Sequence, residues 1–174
     1  MLKELFQNKF FLFFLKAFGI YIIWYLVYEI WLRPTGEVDS WITKELIHKS
    51  SYIIKKLGYI MIPERAESDN IKTIGIDGSH GVWIGAPCNG LSLFALFTGF
   101  IIAFDGKIKH KLWFIPIGVI SIHFLNILRV TALCIIQKYD HSLLDFNHTY
   151  TFTIVSYSWI FFLWIIWANK LSKI

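Results

Sequence analysis

Charge is scarce in this chain. Asp, Glu, Lys and Arg make up 17% of its 174 residues, against roughly 25% in an ordinary soluble domain. With 56% hydrophobic residues and a mean hydropathy of +0.54, that scarcity excludes a disordered chain and argues against a water-soluble globule. Cysteine is scarcer still: two residues support neither a disulfide framework nor a Cys-rich zinc module. Collagen is excluded by 11 glycines and 4 prolines in 174 residues. There is no Arg-rich tract, low-complexity segment or internal repeat. The net charge of +5 raises nucleic acid as a partner. The lysines flank apolar runs, however, which suits membrane orientation, so no nucleic-acid partner is expected. What is abundant is aromatic and aliphatic: 16 Phe, 8 Trp and 8 Tyr. The expectation is one integral membrane domain over 1–174.

Four apolar runs predict the spans, at about 10–32, 89–104, 112–136 and 149–168, since a crossing takes about 20 mostly apolar residues. The first is read as a retained anchor, because it ends in bulky side chains with no small-residue cleavage site. Lys16 snorkels from it and Glu29 is interfacial. Arg33-Pro34-Thr35-Gly36 is expected to break the helix. Residues 33–87 then form an outward-facing region. Val38, Trp41, Ile42, Leu46, Tyr52, Ile53, Leu57, Ile60 and Met61 recur at helical intervals. They predict one or two amphipathic helices over Glu37 to Ile62, roofing the bundle. Pro63 to Asn70 reads as a loop. Ile74 and Ile76, then Val82 and Ile84, flank Gly78-Ser79-His80-Gly81 as a short β-hairpin. Gln137 to Asn147 reads as a polar loop. The predicted fold is thus an all-α integral membrane bundle of four transmembrane helices, with outward-facing amphipathic helices and a short β-hairpin.

Lysines set the expected orientation. Lys3 and Lys9, then Lys107, Lys109 and Lys111, then Lys170 and Lys173 outweigh the acids in three segments that four spans put on one side. By the positive-inside rule both termini are cytoplasmic, in the inner or plasma membrane. Cys88 then opens the second span and His148 the fourth, both at the outward end. Arg129, 17 residues into the third span from Leu112, stands about 25 Å along it. Topology therefore gathers Cys88, Arg129 and His148 in one outward layer.

Each of the three has a chemical use. A thiol at Cys88, before a helix N-terminus, sits where negative charge is favoured. Gly90 lets a substrate backbone approach. Burial as packing is the plainer reading of the cysteine alone. Arg129 is a charge within a span, and such charges are costly and commonly functional. Asn126 shares its helix face, and His123 lies one turn deeper. His148 precedes Thr149, Thr153 and Ser156, which fall on one inward face. It is the candidate base, with Asn147 or Asp145 to orient it and His80 in reserve. A zinc site from Cys88, His148, His80 and His141 lacks the spacing of known motifs. Cys134 reads as packing, although a disulfide with Cys88 would remove the nucleophile.

Pro87-Cys88-Asn89-Gly90, then Asn126-Ile-Leu-Arg129-Val130, then His148, in that order over roughly residues 71–169, resemble the exosortase/archaeosortase family. Asn147-His148-Thr-Tyr-Thr-Phe-Thr resembles its short exosortase F branch. Asn89 stands where many members carry Ser or Thr, and Phe152 where many carry Gly. The chain is also shorter than the eight-span members. The resemblance implies a cysteine protease or transpeptidase acting on exported proteins with a C-terminal sorting signal: a short motif, an apolar helix and a basic tail. It implies catalysis by Cys88, Arg129 and His148, supported by Asn126, Asn147, Asn89 and Gly90, with no cofactor or metal. Membrane lipids surround the chain, and a lipid or glycan amine is the candidate acceptor. Two rival readings remain. A non-enzymatic assembly or transport subunit would make Cys88→Ala silent, and a metal-dependent membrane hydrolase would bind zinc.

Overall fold

The computed structural model describes residues 9–63, 66–68 and 71–172. The lysines counted at Lys3 and Lys173 lie outside that range. The protein is an all-α membrane bundle carrying a small sheet. Helix α1, Phe10–Thr35, is long and apolar, and none of its most apolar window is buried. A helix surrounded by lipid can present such side chains outward. The break expected over Arg33-Pro34-Thr35-Gly36 comes at its last residue. The turn Tyr28–Leu32 widens into a π-helix, Pro34 is accommodated, and the helix ends at Gly36 with φ +64°. Pro34 lacks an N–H for the preceding turn, while Thr35 Oγ1 donates to the Leu32 carbonyl at 2.9 Å. Arg33 pairs with Glu29 at 2.8 Å, so the interfacial acid has a local partner.

Helix α2, Glu37–Lys56, is a single helix. Asp39, Ile42, Thr43, Leu46, Ile47, Ser50 and Ile54 form its buried stripe at three- and four-residue spacing, packed along a later helix of the bundle. Fully burying Leu46 and Ile54 contributes about 1.5–3 kcal/mol each. The stripe lays α2 beside the bundle, where it backs the Cys88 turn instead of roofing it. Past Gly58 the chain extends, and Met61 bridges Ile76.

The sheet has three antiparallel strands in the order β1 (Ala66–Ser68), β2 (Ile71–Ile74) and β3 (Val82–Ile84). The expected hairpin is β2–β3, with Ile74 opposite Val82. The stretch read as a loop over Pro63 to Asn70 contains a strand, because β2 offers it a free edge. Ile74, Ile76, Val82 and Ile84 bury one sheet face against Leu46, Ile54, Ile127, Val130 and Leu133.

Three helices remain. Helix α3, Leu91–Ala103, has 13 residues, so it is about 20 Å long. That is short of a crossing; among the described residues three helices, not four, are long and apolar enough to span a membrane. The 3-10 turn Ala86–Cys88 and Asn89-Gly90 supply the rest of that path. Helix α4, Ile108–Tyr139, runs antiparallel beside α3 and holds Pro116 in its interior. Helix α5 follows almost at once, as the run His141–Leu171. The loop expected over 137–147 is therefore mostly helical. Asp140 breaks the chain and its carboxylate accepts from the Ser142 N–H at 3.0 Å, capping the next turn.

A second core of Phe97, Ile101, Phe114, Ile122, Ile160, Leu163 and Trp167 joins α3, α4 and α5. Lys16 reaches Asp105 at 3.5 Å at the lysine-rich end. Gly118 lies against the face of Phe97, where an added Cβ would overlap the ring. Gly118→Ala should therefore cost about 1–3 kcal/mol by overpacking, read as a lower melting temperature in detergent; an unchanged Tm would refute the contact.

Candidate active site

The site lies between the two cores, at the end of the bundle away from the Lys16–Asp105 pair. Strand β3 feeds into it through Gly85, whose backbone is extended. The 3-10 turn Ala86–Cys88 closes with the Cys88 N–H donating to the Gly85 carbonyl at 2.9 Å. Gly90, with φ +91°, then turns the chain into α3. An added Cβ there would sit 3.1 Å from Asn126 Nδ2. Both the left-handed backbone and the crowding call for glycine.

This turn aims the thiol at α5. Cys88 Sγ lies 3.4 Å from His148 Nε2. His148 occupies a π-helical turn, Asn147–Thr151, a distortion frequent at functional sites. Arg129 is half-buried on α4 and lies within electrostatic range of both Cys88 and His148. Arg129, His148, Pro87 and Gly90 line a cavity of about 340 Å³ with Thr153 and Ser156. Thr149 lines it too, as the inward face predicted for these residues requires. Residues 60 positions apart in sequence thus meet, in an arrangement that can pass a proton between sulfur and imidazole beside a fixed cation.

The surroundings of the thiol are held by amides. Asn126 is buried, and its Nδ2 donates to the Cys88 carbonyl at 3.0 Å. Asn89 is fully buried. Its Oδ1 accepts from the Leu91 N–H at 2.9 Å, an Asx turn that leads into α3. Its Nδ2 donates to Asp39 Oδ1 at 2.6 Å, and Tyr28 donates to Asp39 Oδ2 at 3.1 Å. Asp39 is 3% exposed, and sequence reading missed it. The available signal was an acid in register with the apolar stripe of α2. Asp39→Ala should cost about 1–3 kcal/mol, because it strands a buried amide donor. Asp39→Asn keeps an acceptor for Asn89 and should recover much of that loss. Thermal melts of the two variants in detergent check this, and equal melts would sink it.

Other candidates lie elsewhere. Asn147 Nδ2 donates to the Leu143 carbonyl one turn back at 2.8 Å, so its amide N–H is spent within its own helix and not on His148. The segment is helical, and an amide there finds the carbonyl one turn back. Asp145 is within electrostatic range of His148. His80 pairs with His141, their rings 6.5 Å apart, in a neighbouring cleft that His148 also borders. Among the described residues no three His, Cys, Asp or Glu side chains converge as a metal site. Cys134 is buried in the sheet-side core with its Sγ 3.8 Å from the Ile74 carbonyl. The two thiols thus face different surroundings.

The sequence matches the transmembrane exosortase family over residues 2–169. The chain belongs to the exosortase family. It is also similar to Archaeosortase A of Haloferax volcanii, 31% identical over 102 residues, which cover 56% of this chain and 34% of that protein. The exosortase therefore spans about a third of the length of the curated relative it matches. No solved structure matches it.

Proposed function

We propose that this exosortase cleaves a C-terminal sorting signal from exported proteins through a Cys88 thioester and passes the product to water or to an amine on a lipid or glycan. The observation that carries the reading is the Cys88–His148 contact at 3.4 Å with Arg129 in the adjoining cavity. The lysine pattern supports a site on the outward face with both termini cytoplasmic. In this mechanism His148 Nε2 accepts the Cys88 proton, and the thiolate attacks the scissile carbonyl. Arg129 stabilises the oxyanion. The C–N bond breaks as His148 returns the proton to the leaving amine. An acceptor amine or water, deprotonated by His148, then attacks the thioester and frees the thiolate. The substrate's apolar helix is assigned to a trough of about 390 Å³ between α1 and α3. Ala17, Ile20, Ala95 and Gly99 line it, and it shares Ser92 and Tyr157 with the Arg129 cavity.

The test is co-expression with exported proteins carrying such a signal. Membranes holding the enzyme should convert a precursor to a shorter form, and mass spectrometry should find a hydroxylamine-labile adduct on Cys88. Precursors left whole, or cleaved without any adduct, would refute the reading.

A further inference from the structure

Beside the site lies a second and larger cleft, of about 910 Å³, between β3 and the start of α5. It is within the size range of ligand pockets, and the mechanism above does not use it. Val82 and Trp83 both line it. Successive side chains point to opposite faces of a sheet, so the cleft reaches past the outer side of β3 as well as over the face that Trp83 shares with its cross-strand partner Thr73. Among the described residues β3 pairs with β2 alone. Alternate backbone N–H and C=O groups on its other edge are therefore left without a strand partner. Thr73 also lines it; that residue is 4% exposed, and its buried hydroxyl has no hydrogen-bond partner. An orphaned buried hydroxyl calls for a ligand or water. The far wall carries Gln137, His141, Asp145 and His148 beside Leu144, a mixed lining that suits a peptide. His148 borders both this cleft and the Arg129 cavity. From its free edge, β3 runs through Gly85 directly into the Cys88 turn.

We infer that the free edge of β3 binds the substrate residues just before the scissile bond as an added strand, which delivers their carbonyl to Cys88. This rests on the sorting reading proposed above. Backbone pairing of this kind supplies affinity without demanding particular side chains. Its direction follows from the trough. The apolar helix after the scissile bond leaves toward α1, on the other side of His148. The residues before the bond therefore run the way β3 runs, and the pairing is parallel.

The test uses the full-length protein in cell membranes, with Cys88→Ala to hold the uncleaved precursor. Benzoylphenylalanine replaces Trp83 in one variant and Tyr157 in another. On illumination position 83 should crosslink to precursor residues before the cleavage site, and position 157 to residues after it. Proline placed singly at the residues before that site should slow wild-type processing about tenfold at alternate positions, for each lost backbone hydrogen bond. Alanine at those positions should be tolerated. The inference is overturned if position 157 captures the precursor and position 83 does not, or if proline is tolerated as well as alanine throughout. Failure of the sorting reading looks different: wild-type membranes leave the precursor as whole as Cys88→Ala does and neither position captures it, and the docking edge falls with it.

Discussion

Replacing Cys88 with Ser should slow precursor processing at least about a thousandfold, and replacing it with Ala should abolish the adduct, because both remove the nucleophile. Ser is the informative variant. It preserves shape and leaves an oxygen near His148 Nε2, where sulfur now stands at 3.4 Å. A hydroxyl ionises far less readily than a thiol, so the loss is chemical and not steric. Cys88 is half-buried, and the turn around it is held by Asn89, Asn126 and the Gly85 carbonyl. None of these uses the sulfur, so the melting temperature should hardly move. Cys88→Ala combined with His148→Ala should be no slower than Cys88→Ala alone, since the two act as one unit. Processing by Cys88→Ser at the wild-type rate would remove the nucleophile assignment and bring the assembly-subunit reading forward.

Arg129→Gln should lower kcat by about a hundred- to a thousandfold with KM nearly unchanged, the expected cost of losing one oxyanion donor. The guanidinium is half-buried in the cavity with His148 and Gly90, where water screens it less than at a surface. Arg129→Lys keeps the charge but loses the planar fork, and should recover only part of the rate. Steady-state kinetics on purified enzyme separate the outcomes. A rise in KM alone would make Arg129 a substrate-binding group. A fall in melting temperature that tracks the fall in rate would make it structural.

Much of the bundle was legible before any coordinates. The first span, the long third helix and the β2–β3 hairpin were announced by apolar runs and by Gly78-Ser79-His80-Gly81. The errors share a cause. Gln137 to Asn147 looked polar and so read as a loop, yet a helix tolerates polar residues at its end. Ala66–Ser68 became a strand because β2 lies beside it. Asn147 stood next to His148 in sequence, but in a helix its amide turns to Leu143.

The site was legible in part. Cys88, Arg129 and His148 could be assigned to one layer, because span order and helix rise convert sequence position into depth. Asp39 could not be found that way. Its contact with Asn89 joins residues 50 positions apart, and nothing in either local sequence refers to the other. Membrane insertion is close to a sum over neighbouring residues, each carrying its own transfer free energy. The sequence by itself therefore determined the class of protein, most of its helices and the level of its candidate chemistry. Packing has no such local sum. Only the tertiary structure decided which histidine meets the thiol, which acid backs it and which strand edge stays open, because those depend on how α2, α5 and the sheet dock around α4.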